Sequence, residues 1–273
     1  MILPSSLARY RRRVLAGHRV ASERACLRFV NAMGFCYAFT RGPGDLPGLF
    51  DVLATRSVGR MWDWAWTWKE ELPRRKRLYY GKVIRHKPTY ISLDCLPHFY
   101  ALSGNVGEPD DCLVAYRAGR VTRLAKEIYE FLAARGRAST RDLRQFFDPE
   151  GNALGQRLQR ALRELQEGFF IVKVDEVGDN PGNYAYVWDT FPRWLPAAVN
   201  RAGSITEAEA AAAVLERYLG IVGAAAEEEI CDLWGWPAPL LQRALQRLGG
   251  RVATAQIRGR GPALCRQDLR TGL

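Results

Sequence analysis

The pentapeptide LQRAL occurs twice in this chain, at residues 158–162 and again at 241–245. Each copy lies in a stretch whose apolar side chains recur three and four residues apart, and a glycine ends each stretch just before an apolar, strand-like run. A chance recurrence in a chain rich in arginine and leucine would not also match the flanking caps, stops and hairpin tips. We therefore interpret the two stretches as diverged copies of one module.

The first module is predicted to span residues 121–192. The stretch TRLAKEIYEFLAARG favours a helix that ends at Gly136, STRDLRQFF a second helix with Ser139 or Thr140 as its N-cap, and ALGQRLQRALRELQEG a third that ends at Gly168. The runs FFIVKVDEV and YAYVWDTF are typical of strands on either side of a GDNPGN turn. Three helices followed by a two-stranded hairpin predict a winged helix.

The second module is predicted to span residues 204–273, with the same order of elements. Its first helix is capped by Ser204 or Thr206 and ends at Gly220, and the strands RVATAQI and ALCRQDL follow the third helix. The predicted fold class is therefore mainly α with small β wings (α+β), built from tandem winged helix-turn-helix modules. A basic, tryptophan-rich N-terminal domain is expected at residues 1–110.

In helix-turn-helix proteins the last helix commonly lies in the major groove of DNA and the wing touches the backbone. Both modules have arginines at these positions. The predicted DNA-binding side chains are Arg157, Arg160 and Arg163 in the first module, and Arg243, Arg247, Arg258 and Arg260 in the second. The near-zero net charge of each module argues against either binding DNA alone. Winged helices also bind proteins, so a protein partner stays open.

The net charge of +11 is concentrated at the front of the chain, where residues 1–90 contain 18 Lys and Arg against 6 Asp and Glu. A localised basic excess indicates a polyanionic partner, here double-stranded DNA. The alternative is a solvated, arginine-rich surface of the kind that GC-rich or thermophilic genomes encode. That bias alone would not confine the excess to one third of the chain.

A basic run interleaved with aromatic residues lies within this third. Cations suit phosphates and rings suit exposed bases, so we predict phosphate binding for the run. Its members are Arg74, Arg75, Lys76, Arg77, Lys82, Arg85 and Lys87. Just before it, Trp62, Trp64, Trp66 and Trp68 alternate, which favours an extended segment with all four rings on one side and mostly in the core.

Several other classes of protein are not indicated. No run of about 18 uncharged apolar residues occurs, so no membrane span is predicted. Arginines from Arg9 onward interrupt the N-terminus, which predicts a cytoplasmic protein without a secretory signal. The six cysteines form no CxxC motif and the three histidines have no close ligand spacing, so we expect no metal site. Phosphate-loop, dinucleotide and HExxH motifs are absent, and no cofactor is predicted.

The stretch RFVNAMGFCYAFTRGPGDLPGLFDVLATR at residues 28–56, with the later YYGKVI and KPTYISLD, resembles the AlkZ/YcaQ-like DNA glycosylases. These bacterial proteins excise bases from alkylated or crosslinked DNA. The resemblance implies a winged-helix array and a Gln-apolar-Gln or Gln-apolar-Asp motif just after the first helix, which holds the attacking water. At the nearest position this chain has Cys36, Tyr37 and Ala38.

Without an amide or a carboxylate at that position, the attacking water has no positioning group and the developing oxocarbenium ion has no counter-charge. The nearby substitutes are Asp45, Asp51 and Asp63. Three hypotheses follow. The chain binds DNA in a repair context without excising bases, or it is an active glycosylase with a displaced acid, or it is a regulatory protein whose winged helices hold a partner protein.

Overall fold

The computed structural model describes residues 1–40, 46–151, 154–178 and 183–269. Helix α1 (Pro4–Ala16) is followed by unit one, which we define as residues 23–92. Its elements are, in order, helix α2 (Glu23–Met33), strand β1 (Phe35–Tyr37), a single 3-10 turn (Leu49–Asp51), helix α3 (Val58–Arg74), and strands β2 (Leu78–Ile84) and β3 (Lys87–Ser92). The strands form an antiparallel sheet in the order β1-β3-β2.

Two short helices, α4 (Leu96–Leu102) and α5 (Asp111–Arg117), lead to unit two, residues 123–190. Its elements are α6 (Arg123–Arg135), β4 (Ala138–Ser139), α7 (Thr140–Phe147), α8 (Gly155–Glu167), β5 (Ile171–Val177) and β6 (Ala185–Thr190). The sheet order is β4-β6-β5. Gly136 ends α6, and Ser139 caps α7 by accepting a hydrogen bond from the Asp142 amide, as predicted.

Helices α9 (Phe191–Trp194) and α10 (Pro196–Ala202) connect to unit three, residues 207–266. Its elements are α11 (Glu207–Val222), β7 (Ala224–Ala225), α12 (Glu227–Trp234), α13 (Ala238–Leu248), a 3-10 turn (Gly249–Arg251), β8 (Val252–Ile257) and β9 (Gly261–Arg266), before a last 3-10 turn (Gln267–Leu269). The sheet order is β7-β9-β8. Within the described residues, one order of helices and strands therefore occurs three times.

The end of α11 differs from the prediction. Gly220 was expected to stop the helix, but the helix continues to Val222, and Gly223 ends it with a φ of 85°. Ile221 and Val222 are both buried, so the apolar stripe extends one further half-turn into the core. Gly220 keeps its helical conformation, and its carbonyl accepts a hydrogen bond from the Tyr10 hydroxyl at 2.6 Å.

The prediction of an extended tryptophan segment is wrong, because residues 58–74 form helix α3 with Ser57 as the N-cap. Side chains four residues apart share a helix face, whereas those two apart do not. Trp62 and Trp66 are consequently exposed on one side, while Trp64 and Trp68 stack on each other at 5.6 Å on the other. Good helix formers flank the tryptophans, with Met61 before them and Lys69, Glu70 and Glu71 after them.

Two main cores hold the units together. Unit one and unit three share a core in which Phe35 of β1 lies 5.4 Å from Phe99 of α4 and 5.3 Å from Trp234 of α12, ring centroid to ring centroid. Unit two has its own core, to which α8 contributes Leu158 and Leu162. Residues at the start of the chain pack on unit three, where the Ile2 amide donates to the Gln256 carbonyl at 2.6 Å. No described helix combines the length and apolarity needed to cross a membrane.

The first residue of each LQRAL copy is fully enclosed, Leu158 in the core of unit two and Leu241 in the shared core. We expect Leu158→Ala and Leu241→Ala each to lower the free energy of unfolding by about 2–5 kcal/mol in urea titrations, since each leaves a cavity. The exposed neighbours supply matched controls, Arg157→Ala and Gln242→Ala, which should change it by less than about 0.5 kcal/mol. Equal effects at core and control positions would contradict the assigned burial.

Candidate nucleic-acid interface

The tip of the β2–β3 hairpin carries two basic side chains in a costly backbone conformation. Ile84 pairs with Lys87, which leaves a two-residue loop of Arg85 and His86. Both loop residues have positive φ, 48° and 58°. Such a loop normally uses Asn-Gly, and a bulky residue in the left-handed region costs roughly 1–2 kcal/mol. Both side chains are solvent-exposed, so burial in the core does not account for this conformation.

Helix α8 of unit two runs beside this hairpin and is in contact with β2. Glu167 near its end links the two elements, because its carboxylate contacts the Nδ1 atom of His86 and lies 3.9 Å from the Nε atom of Arg163. The exposed basic side chains of both elements therefore lie on adjoining elements, and we group them as one candidate surface. We call it the hairpin–α8 surface, and its members are Lys82, Arg85, His86, Lys87, Arg157, Arg160 and Arg163.

Several cations on this surface keep their charge available to a ligand. Across the described ranges, no carboxylate comes within ion-pair distance of Lys82, Lys87 or Arg157. The ammonium of Lys87 lies 4.8 Å from the centroid of the Tyr37 ring. Arg160 differs, since its Nε atom is 2.8 Å from the Glu164 carboxylate.

Glu164 stabilises the start of unit two as well as holding Arg160. It accepts hydrogen bonds from the amide and the hydroxyl of Thr122, the N-cap of α6, at 2.9 and 2.8 Å. Burial would raise the pKa of Glu164, but these hydrogen bonds and Arg160 together hold it below its usual value. The carboxylate is therefore ionised in place, and Arg160 is only partly available to a ligand.

The first three cations of the predicted basic run already have partners within the fold. Arg74 pairs with Asp175 at 2.8 Å and contacts Glu176, both on β5. Arg75 pairs with Glu71 at 2.7 Å and with Glu23 at 3.2 Å. The ammonium of Lys76 lies 4.2 Å from the ring centroid of Trp194.

Arg77, the last of that group, is exposed and has no ion pair with any carboxylate that the structure describes. Of the four adjacent cations, it is therefore the one most available to a ligand.

Beneath Arg74 lies a buried ion network between α3 and β5. Glu70 contacts the ammonium groups of both Lys69 and Lys173, and Lys173 also lies 2.7 Å from Glu176. The hydroxyl of Tyr184 contacts Glu70 and accepts a hydrogen bond from Lys69 at 2.9 Å. Burial, and then the neighbouring Lys69 charge, lower the pKa of Lys173 to about 7, and burial also lowers the pKa of Lys69. The network fixes unit one against unit two.

Sequence reasoning did not identify this network, although it left a signal. Lys173 interrupts the apolar run FFIVKV, and a lysine at such a position is buried only when it has a partner. That partner, Glu70, is 103 residues away in the chain, so no local pattern links the two.

The predicted arginines of unit three are mostly engaged by glutamates. Arg243 is 2.5 Å from Glu207, and Arg247 is 3.1 Å from Glu209, both in the first turn of α11. On the β8–β9 hairpin, Arg260 lies 3.7 Å from Glu229. Arg258 is exposed without an ion pair to the described carboxylates. The third helix of this unit thus presents a locally neutral face.

The candidate acids do not converge on one place. Asp45 lies outside the described residues. Asp51 accepts a hydrogen bond from the Gly48 amide at 2.8 Å and lines a cleft of about 730 Å³ between α1, residues 46–51 and the end of α11. Asp63 is exposed on α3, next to Trp62. The cleft also receives Arg11, Arg12, His18 and Arg260.

The segment of Cys36, Tyr37 and Ala38 lies in and just after β1, and all three residues are fully buried. Burial raises the pKa of the Cys36 thiol well above its usual value, so it stays protonated at neutral pH. Nothing in this segment offers an amide or carboxylate side chain to a water molecule. Among the described residues, no group of three or more His, Cys, Asp or Glu side chains has the arrangement of a metal site.

The model of the AlkZ-related family matches residues 20–235, and the chain belongs to that family. The family resemblance seen in the sequence is therefore confirmed.

Among solved structures, the chain is similar to the Streptomyces sahachiroi DNA glycosylase AlkZ, with a TM-score of 0.56 and 16% sequence identity over 96% of this chain and 69% of that chain. At this identity the likeness shows a common fold. No curated protein matches the chain.

The ion network generates a stability prediction. Glu70→Gln removes the carboxylate shared by two buried ammonium groups, and we expect it to lower the free energy of unfolding by about 3–5 kcal/mol. The matched control is Glu71→Gln, one position along α3, whose pairs with Arg74 and Arg75 are more exposed and should contribute less than about 1 kcal/mol. Urea titrations monitored by circular dichroism measure both. A Glu70→Gln variant as stable as Glu71→Gln would show that the network does not hold the units together.

Proposed function

We propose that the chain binds double-stranded DNA through the hairpin–α8 surface. The observation that carries the proposal is the two-residue tip of Arg85 and His86, held in a costly conformation beside a helix of another unit that carries exposed arginines. Lys82, Lys87 and Arg157 add charges that no described carboxylate neutralises. Cations spread over two rigid elements suit a phosphate backbone, whose charges are evenly spaced.

We further propose that units one, two and three are winged helices, an assignment supported by their common element order and sheet order. In this assignment the β2–β3 hairpin is the wing of unit one, and α8 is the third helix of unit two. The hairpin would then contact the DNA backbone, and Gln156, Arg157 and Arg160 of α8 would face base edges. The ion-paired α13 makes unit three a structural or protein-binding element.

A role in DNA repair is supported by membership of the AlkZ-related family. We propose that the chain binds DNA without excising bases at β1. The reason is that Cys36, Tyr37 and Ala38 are enclosed and supply no group to position an attacking water. Asp45, Asp51 and Asp63 remain as candidates for a displaced acid.

The binding proposal predicts that Lys82→Ala and Lys87→Ala combined will weaken binding of labelled duplex DNA at least tenfold. Each lost phosphate contact should also reduce the slope of log affinity against log salt by about 0.9. The matched control is Arg243→Ala with Arg247→Ala, because these arginines already have glutamate partners. Fluorescence anisotropy over a range of salt concentrations measures both quantities.

If the control weakens binding as much as the hairpin variant, the DNA lies on unit three and the hairpin–α8 assignment fails. A variant with Arg74, Arg75, Lys76 and Arg77 all changed to alanine should also weaken binding, but its ion pairs with Glu71 and Asp175 make lost stability a second cause. Arg77→Ala alone breaks no described ion pair, so it tests the contribution of the basic run to DNA binding without that loss of stability.

The excision proposal predicts no abasic sites after incubation with alkylated or crosslinked duplex. Alkaline cleavage of end-labelled DNA measures them, with a known glycosylase as the positive control. Appearance of cleaved product above the background would establish an active enzyme. In that case the single variants Asp45→Asn, Asp51→Asn and Asp63→Asn would identify the acid by loss of product at unchanged DNA affinity.

A further inference from the structure

The exposed face of α3 is apolar and aromatic, in contrast to the polar third helices of the other two units. Val58, Trp62 and Trp66 occur four residues apart, so they lie along one side of the helix. They are 68%, 46% and 47% exposed. We call these three residues the tryptophan stripe. Two half-exposed indole rings on one helix are an unusual solvent face and indicate a binding surface.

Trp62 is held rigidly. It stacks on Phe39 with 5.7 Å between ring centroids and an interplanar angle of 27°, and its edge meets Phe50 at 5.0 Å. Three rings thus form one platform beside the end of β1. A ring that is already ordered loses little conformational entropy when a ligand stacks on it.

Trp66 contacts a buried cation on one side of its ring. The ammonium of Lys69, itself 1% exposed, lies 3.6 Å from the centroid of the Trp66 ring, and the Tyr184 ring lies 5.6 Å away. These two contacts hold the indole from one side, so a ligand ring can stack on its solvent-exposed side without first ordering it.

The surroundings of the stripe favour an anionic ligand. Arg56 and Arg60 are exposed at its start, whereas Asp63 is the acidic residue on this helix face. The stripe also lies near the hairpin–α8 surface. The exposed Lys87 lies over the ring of the buried Tyr37, Tyr37 is two residues before Phe39 in the chain, and Phe39 stacks on Trp62. A protein ligand would gain from the apolar rings but not from these nearby cations.

We propose that the tryptophan stripe binds unpaired bases of DNA, one on the Phe39-supported ring of Trp62 and one on Trp66. The two tryptophans are separated by about 6 Å along the helix axis, roughly two base steps of a stacked strand. The proposal rests on the proposed DNA binding and extends it, because the duplex part of the ligand would lie on the hairpin–α8 surface while the unpaired part reaches α3.

The experiment compares two labelled duplexes that differ only in a central bubble of four unpaired nucleotides. The wild-type chain should bind the bubble at least tenfold more tightly than the paired duplex. Trp62→Ala with Trp66→Ala should abolish most of that preference, about tenfold for each base released, while leaving affinity for the paired duplex unchanged. Trp62→Phe with Trp66→Phe should restore part of it, because a ring remains at each position.

The matched control is Phe146→Ala, which removes a ring that is 49% exposed on α7 of unit two. Circular dichroism melting of every variant checks that the fold is retained. A bubble preference that survives the double alanine change, or that falls equally in Phe146→Ala, would overturn the proposal and leave duplex binding intact. Failure of the wild type to bind either DNA would overturn the proposed function and this inference with it, and would leave the stripe as a protein-binding face.

Discussion

The arrangement of the candidate interface depends on the buried ion network between α3 and β5. Lys69 and Lys173 share the carboxylate of Glu70, and Arg74 closes the network with Asp175 and Glu176 on β5. Removing charges from water is expensive, and this cost is offset only when every charge finds its partner in one geometry. The network consequently contributes less to stability than to fixing how α3 and β5 are aligned with each other. Because β2 follows α3 and α8 precedes β5, it also places the unit one hairpin beside the helix of unit two.

The presence or absence of a carboxylate partner separates the cations into two groups. Arg74 and Arg75 at the end of α3, and Arg243 and Arg247 beside α11, are paired with carboxylates, and a further ligand would have to compete with those carboxylates. Lys82, Lys87 and Arg157 have no such partner among the described residues, so no described carboxylate would compete with a phosphate there. A count of charges along the chain cannot distinguish the groups, since the positive excess of residues 1–90 includes Arg74 and Arg75. The distinction arises from which acidic side chains the fold brings to each basic one.

The sequence was sufficient to predict the elements whose signals are local. Caps such as Ser139 and Thr206, and the strands of units two and three, follow from side-chain patterns within about ten residues. The repeat in unit one was not predicted, because its second helix is reduced to the 3-10 turn Leu49–Asp51 and the tryptophans occur at strand-like spacing. The contacts of Lys173 with Glu70 and of Phe35 with Trp234 depend on packing between units, which no single stretch encodes.

The contrast between the third helices of the three units suggests how one architecture serves different contacts. The buried faces of α8 and α13 are mainly apolar and repeat, as Leu158 and Leu241 show, whereas α3 also buries Lys69 and Glu70 for the ion network. The outward face is then free to vary: indoles on α3, partly available arginines on α8, and arginines paired with glutamates on α13. Of these, the α13 face is the least suited to a polyanion, because a phosphate would have to displace Glu207 and Glu209. In the proposed function, units one and two, joined by the ion network, supply the ligand-binding faces, and unit three supplies part of the core that supports unit one.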